Sequence, residues 1–183
     1  MQNKKVKALG LMSGGLDSIL ACLLLREQGI EVSGVCFETP FFGAAKARKA
    51  AEQYDIPLIV KNIFAEYMPM LTHPNVGYGR NMNPCMDCHS LMFKLAGQVM
   101  EAEGFDFLFS GEVLGQRPMS QTKTSLQYVL KHSNYADKIL RPLSALRLAE
   151  TEMERTGLVD RTRLGDMQGR SRKPQQEIGR AHV

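Results

Sequence analysis

Two short stretches hold most of the side chains that could do chemistry. The first is Ser13-Gly14-Gly15-Leu16-Asp17-Ser18. Its paired glycines let the backbone take positive φ and come close to a ligand. Its two serines add hydroxyls, and Asp17 adds a carboxylate. The second is Asn83-Pro84-Cys85-Met86-Asp87-Cys88-His89. Pro84 suits the first position of a helix, which puts Cys85 and Cys88 at i and i+3 on one face of its first turn. Unpaired N–H groups and the helix dipole there predict thiols of depressed pKa, usable as sulfur nucleophiles or metal ligands. Zinc or an iron–sulfur cluster needs further ligands. His89 follows directly, but its side chain is turned about 100° from Cys88 on a helix. Sulfur transfer, a metal site completed by residues elsewhere, and plain structural thiols all remain open for this pair.

The elements that must position these residues follow from hydrophobic patterning. The apolar run Val6–Met12 precedes the Gly-Gly turn, and Ile19–Leu25 follows it. This predicts strand, turn and helix, with backbone N–H groups and the positive end of the dipole facing a phosphate. The loop is neither a P-loop, which needs a Gly-Lys-Ser/Thr end, nor a Gly-x-Gly-x-x-Gly fingerprint. Further along, Asp17–Gln28, Gly43–Tyr54, Pro84–Glu103 and Ser120–His132 read as helices. Glu31–Thr39, Pro57–Ile63, Phe107–Val113 and Ile139–Leu143 read as strands. Such alternation predicts an α/β fold with a doubly wound, mostly parallel sheet, whose ligands lie at the carboxyl ends of the strands. Phe64–Asn83 lacks periodicity and reads as an active-site loop.

The expected division is a main domain over 1–144, a basic extension over 145–176 and a tail over 177–183. Ala145–Arg155 has helical spacing. Arg161, Arg163, Arg170, Arg172 and Lys173 then cluster, either as a solvated surface or as a contact for an RNA backbone. Glu177–Val183 is what a common sequencing adapter would encode in this frame, so the natural chain is expected to continue differently.

The chain has 183 residues, 44% of them hydrophobic and 23% charged, as in an ordinary water-soluble domain. Its longest apolar run of about seven residues falls far short of the roughly 20 needed to span a bilayer, and no signal-peptide pattern opens it. A net charge of +4 permits contact with nucleic acid without demonstrating it. Cys22 and Cys36 fall in apolar segments and read as core residues. A cytoplasmic location is expected, which disfavours a structural disulfide.

The full Ser-Gly-Gly-x-Asp-Ser loop, in its strand–turn–helix setting, resembles that of the PP-loop ATP pyrophosphatases. These have a Rossmann-like adenine nucleotide alpha hydrolase fold, cleave ATP between the α- and β-phosphates and adenylate a substrate. Asn83-Pro84 with Cys88 is similar to the tRNA 2-thiouridylases, in which Cys88 matches the catalytic cysteine and an aspartate often stands in place of Cys85. A Cys-x-x-Cys here is also similar to iron–sulfur-dependent tRNA thiolation enzymes. Gly111-Glu112-Val113-Leu114-Gly115-Gln116, Ser120-Gln121-Thr122 and Leu140-Arg141-Pro142-Leu143 resemble the tRNA 4-thiouridine synthases. Those have one residue fewer around Arg117-Pro118-Met119.

The resemblance implies an ATP-dependent tRNA sulfurtransferase. ATP would contact Ser13, Gly14, Gly15, Leu16, Asp17, Ser18, Phe37, Gly111 and Gln116. Asp17 would help place Mg²⁺. Cys88, with Cys85 as resolving thiol or as co-ligand of an iron–sulfur cluster or zinc, would handle sulfur from a persulfide carrier or sulfide. Two other classes stay open: a pyrophosphatase adenylating a small molecule for amide or sulfur transfer, and a non-catalytic ATP-binding module.

Overall fold

The computed structural model describes residues 5–77 and 84–181. Asn83, the end of the 64–83 connection and the last two residues lie outside them. The first half of the chain contributes β1 (Lys7–Leu11), α1 (Leu16–Arg26), β2 (Glu31–Glu38), α2 (Ala45–Gln53) and β3 (Leu58–Asn62). After α3 (Phe64–Thr72) come α4 (Cys85–Glu103), β4 (Phe107–Ser110), α5 (Lys123–Ser133) and β5 (Ile139–Leu140). Short α6 (Glu152–Arg155) and α7 (Lys173–Ala181) follow. The five strands form one parallel sheet in the order β3-β2-β1-β4-β5.

Alternation along the strands builds two cores, one on each face of the sheet. Ala8 on β1 and Met12 just after it, with Phe107 and Phe109 on β4, turn to the face covered by α1 and α2. Leu9 and Leu108 turn to the face covered by α4 and α5, against Phe93, Ala96 and Val129. Each fully buried Phe or Leu contributes roughly 1.5–3 kcal/mol. Gly10 is needed on β1 because the Phe109 ring fills the space a Cβ would take. The strand order reverses between β1 and β4. β1 leads to β2 on one side, and β4 lies on the other, so a crevice opens where their carboxyl ends diverge.

Three expectations differ from the structure. Residues 64–72 form a helix, not a loop, despite Pro69 inside it. Its start is fixed by Asn62, whose side chain accepts the Phe64 N–H at 3.0 Å. The Ser120–His132 helix begins later, at Lys123, because Thr122 caps it by accepting the Ser125 N–H at 3.1 Å. Ala145–Arg155 is not one helix but a 3₁₀ turn, Ala145–Arg147, and the single turn of α6. Glu154 reaches back to the Thr151 N–H at 2.7 Å and starts a new helix there.

Candidate active site

The loop after β1 is shaped by its glycines. Gly14 has φ +73°, and a Cβ there would overlap the backbone carbonyl of Lys46 at the start of α2. Gly15 occupies the N-cap of α1 in an extended conformation with no side-chain cap. The first-turn N–H groups of α1 are thus left for a ligand. Ser18 Oγ donates to the Gly15 carbonyl at 2.8 Å, and the Gly15 N–H reaches Ser13 Oγ at 3.3 Å.

The loop after β4 is locked onto this turn. Gly111 lies so close to the Asp17–Ser18 backbone that no Cβ fits. Gln116 Nε2 donates to Asp17 Oδ2 at 2.8 Å, and Arg172 Nη2 stands 3.8 Å from the same oxygen. Gln116 Oε1 in turn accepts from Gln175 Nε2 at 2.7 Å. Asp17 Oδ1 is buried and has no hydrogen-bond partner among the described residues.

Between the two loops lies a cavity of about 360 Å³. Ser13, Asp17, Ser18, Gly111 and Phe37 line it, joined by Phe42, His89, Met92 and Arg117. Gly14, Gly15 and Leu16 shape the loop without lining the cavity. Gln116 acts behind it, through Asp17. Cys36, expected only in the core, is buried and also lines the cavity; burial raises its thiol pKa, and the Glu38 charge adds to this. Cys22 lies wholly in the core.

Cys85 and Cys88 stand on the first turn of α4, as the Pro84 spacing predicts, but neither lines the cavity. The nearest cavity residue on α4 is His89. The expected depression of the thiol pKa does not hold for Cys88, which is raised to about 11 by burial first and then by Cys85. The dipole of the helix start is outweighed by desolvation there. Asp87, between the two cysteines, is buried; it accepts the Val76 N–H at 2.9 Å and the Tyr128 hydroxyl at 2.7 Å.

Sequence reasoning missed a charged network in the wall of the cavity. Glu112 Oε2 accepts from Arg141 Nε at 2.8 Å and from Ser110 Oγ at 3.0 Å. Glu112 Oε1 lies 2.9 Å from His89 Nδ1. Burial pushes the Glu112 carboxyl pKa up, but the Arg141 charge and the His89 and Arg141 hydrogen bonds win and hold it at about 2. The Gly-Glu and Arg-Pro-Leu segments were visible in the sequence; their pairing required the β4–β5 register.

Of the basic cluster, Arg161 donates to the Leu148 carbonyl at 3.1 Å and pairs with Glu154, while Arg163 caps the Glu27 carbonyl at 2.7 Å. Arg161 thus braces neighbouring turns, and Arg163 ties the C-terminal segment to the end of α1. Among the described residues no three His, Cys, Asp or Glu side chains are grouped to hold a metal ion. Cys85 and Cys88 alone therefore do not fit a zinc or iron–sulfur site. The orphaned Asp17 oxygen does fit Mg²⁺, which takes one or two carboxylates together with substrate phosphates. No helix among the described residues is long and apolar enough to cross a membrane.

A parallel sheet reversing at β1/β4, with a Ser-Gly-Gly-x-Asp-Ser turn at the reversal, is an adenine nucleotide alpha hydrolase fold of the PP-loop kind. The family model described as thiamine biosynthesis protein (ThiI) matches residues 3–152, and the chain belongs to that family. The tRNA-specific 2-thiouridylase MnmA of Geotalea uraniireducens is 30% identical over 131 residues, covering 60% of this chain and 35% of the relative. That of Syntrophotalea carbinolica is 35% identical over 126 residues, covering 61% and 36%. That of Caldicellulosiruptor saccharolyticus is 30% identical over 155 residues, covering 73% and 42%. The chain thus spans between a third and a half of the length of these relatives. Among solved structures, a 4-thiouridine synthetase–RNA complex with bound ATP superposes with a TM-score of 0.62 at 22% identity, covering 95% of this chain and 41% of the other. A predicted tRNA methyltransferase subunit from Methanocaldococcus jannaschii gives 0.52 at 16%, covering 75% and 68%. At these identities the likeness is one of fold.

Proposed function

We propose that this chain carries the activating site of an ATP-dependent tRNA sulfurtransferase, which adenylates a uridine carbonyl and replaces its oxygen with sulfur. The observation that carries the reading is the cavity at the β1/β4 reversal, open to the uncapped N-terminus of α1 and walled by the helix that bears both cysteines. Membership of the ThiI family and the kinship with tRNA 2-thiouridylases support it.

ATP lies with its phosphates on the Ser13–Ser18 turn and its base against the apolar wall of Phe37, Phe42 and Met92. The uridine carbonyl oxygen attacks the α-phosphorus, and pyrophosphate leaves. Backbone N–H groups of the α1 start, fixed in place before the reaction, stabilise the charge that develops. Mg²⁺, when bound at the free oxygen of Asp17, supplies charge neutralisation at the phosphates. Gln116 holds Asp17 in position for that role. Cys88 takes the outer sulfur of a carrier persulfide, whose thiol leaves, and the resulting Cys88 persulfide attacks the activated carbon with its outer sulfur, and AMP leaves. Cys85 attacks Cys88 Sγ, which frees the thiolated base and leaves a Cys85–Cys88 disulfide for a thiol reductant to reopen.

The test separates the two halves. Asp17→Ala should abolish ATP–pyrophosphate exchange, and Cys88→Ser should keep adenylation while ending sulfur incorporation into tRNA. Exchange at the wild-type rate in the first variant, or unchanged thiolation in the second, overturns the corresponding assignment.

A further inference from the structure

We propose that Arg117 is a phosphate-binding residue of this cavity, supplying the fixed positive charge that the Ser-Gly-Gly turn lacks. The inference rests on the nucleotide reading above and goes beyond it, since no motif assigns this residue. A polyphosphate brings several negative charges, whereas a helix N-terminus offers about half a positive one. Among the described residues lining the cavity, Arg117 is the one with a permanent positive charge. The lining carboxylates are accounted for in different ways. Glu112 is already neutralised by Arg141, and Asp17 is engaged by Gln116 and faced by Arg172. Arg117 is exposed at the mouth, and no carboxylate stands within ion-pair distance of it among the described residues.

Its backbone is held firmly. The Gln121 N–H donates to the Arg117 carbonyl at 2.9 Å, and the Gly115 N–H donates to the Gln121 carbonyl at 2.7 Å. The preceding residue, Gln116, is tied to Asp17 across the crevice. The backbone that carries Arg117 is thus fixed in the loop lining the cavity together with the Ser13–Ser18 turn. Its planar fork matches phosphate oxygens two at a time, which a lysine ammonium does not. The segment Arg117-Pro118-Met119 is also where this chain is one residue longer than the 4-thiouridine synthases it resembles.

The experiment is calorimetric titration of the full chain, wild type, Arg117→Ala and Arg117→Lys, with ATP–Mg²⁺ and separately with adenosine. We expect Arg117→Ala to weaken ATP roughly ten- to hundred-fold, leave adenosine unchanged and flatten the salt dependence of ATP binding. Arg117→Lys should recover part of the loss. If wild type binds ATP and Arg117→Ala binds it equally, the inference is wrong while the nucleotide site stands. Equal losses for ATP and adenosine also overturn it, because they mark a loop defect. Failure of the wild type to bind either ligand overturns both readings.

Discussion

Replacing Glu112 by Gln removes a buried charge and leaves its partner in place. The Arg141 side chain is 4% exposed, and Glu112 is its one carboxylate partner among the described residues. Its Nη2 already lacks a hydrogen-bond partner among the described residues, and the guanidinium lies over the Phe93 ring at 5.8 Å. Breaking a buried pair from one side typically costs about 3–5 kcal/mol, because the remaining charge cannot be solvated. A second route gives the same scale. The carboxyl falls from the ordinary 4.5 to about 2 on folding, and at about 1.4 kcal/mol per pH unit that is about 3 kcal/mol. The folded pKa is depressed, so this stability is complete above pH 4.5 and is lost as pH falls toward 2. Urea unfolding of wild type and Glu112→Gln at pH 7 should therefore differ by about 3 kcal/mol, with equal m-values, and the gap should narrow below pH 4.5. The double variant Glu112→Gln/Arg141→Met should recover much of the loss, since an apolar replacement leaves no orphaned charge. A double variant less stable than the single one, or a gap that ignores pH, would refute the reasoning.

Two further outcomes follow from geometry and acidity. Gly14→Ala should lower the melting temperature by an amount worth at least about 1–2 kcal/mol, since it combines φ +73° with an overlap on the Lys46 carbonyl. Gly15→Ala, whose Cβ would meet nothing nearer than Ser13 Oγ at 3.3 Å, should stay within about 0.5 kcal/mol of wild type; equal melting of the two variants would contradict this. Iodoacetamide labelling of Cys88, followed by peptide mass spectrometry, should rise about tenfold per pH unit from 7 to 9.5, because its thiol titrates near 11. Cys85→Ser should speed it by removing a charge that raises that value, whereas a plateau before pH 9 would disprove the burial argument.

The legible part of this fold was the part written in local patterns. Strand–Gly-Gly–helix spacing placed Ser13–Ser18 at the end of β1, and apolar runs located all five strands, although β4 and β5 end sooner than expected, at Ser110 and Leu140. Pro84 and Gly104 correctly bracketed the long cysteine helix. What escaped notice depends on contacts distant in sequence. The partnership of His89, Glu112 and Arg141 forms only after α4, β4 and β5 have met. The acidity of Cys88 was misjudged because burial of its sulfur is a tertiary fact, whereas the helix dipole is a local one. Pro69 masked α3, although the Asn62 start signal was present in the sequence.

The hydrogen bond between Gln116 and Asp17 joins positions 99 apart. Closing a loop that long is entropically unfavourable and must precede any reward from the contact. The cavity is complete only once β4 has docked beside β1 and brought both loops together. A nucleotide is therefore a selective witness of folding: it recognises only chains whose sheet has closed across the reversal, and it stabilises those chains alone. During synthesis, ligand capture would begin as a late and abrupt event, after the second half of the sheet has emerged, and not as a gradual gain as the first loop appears.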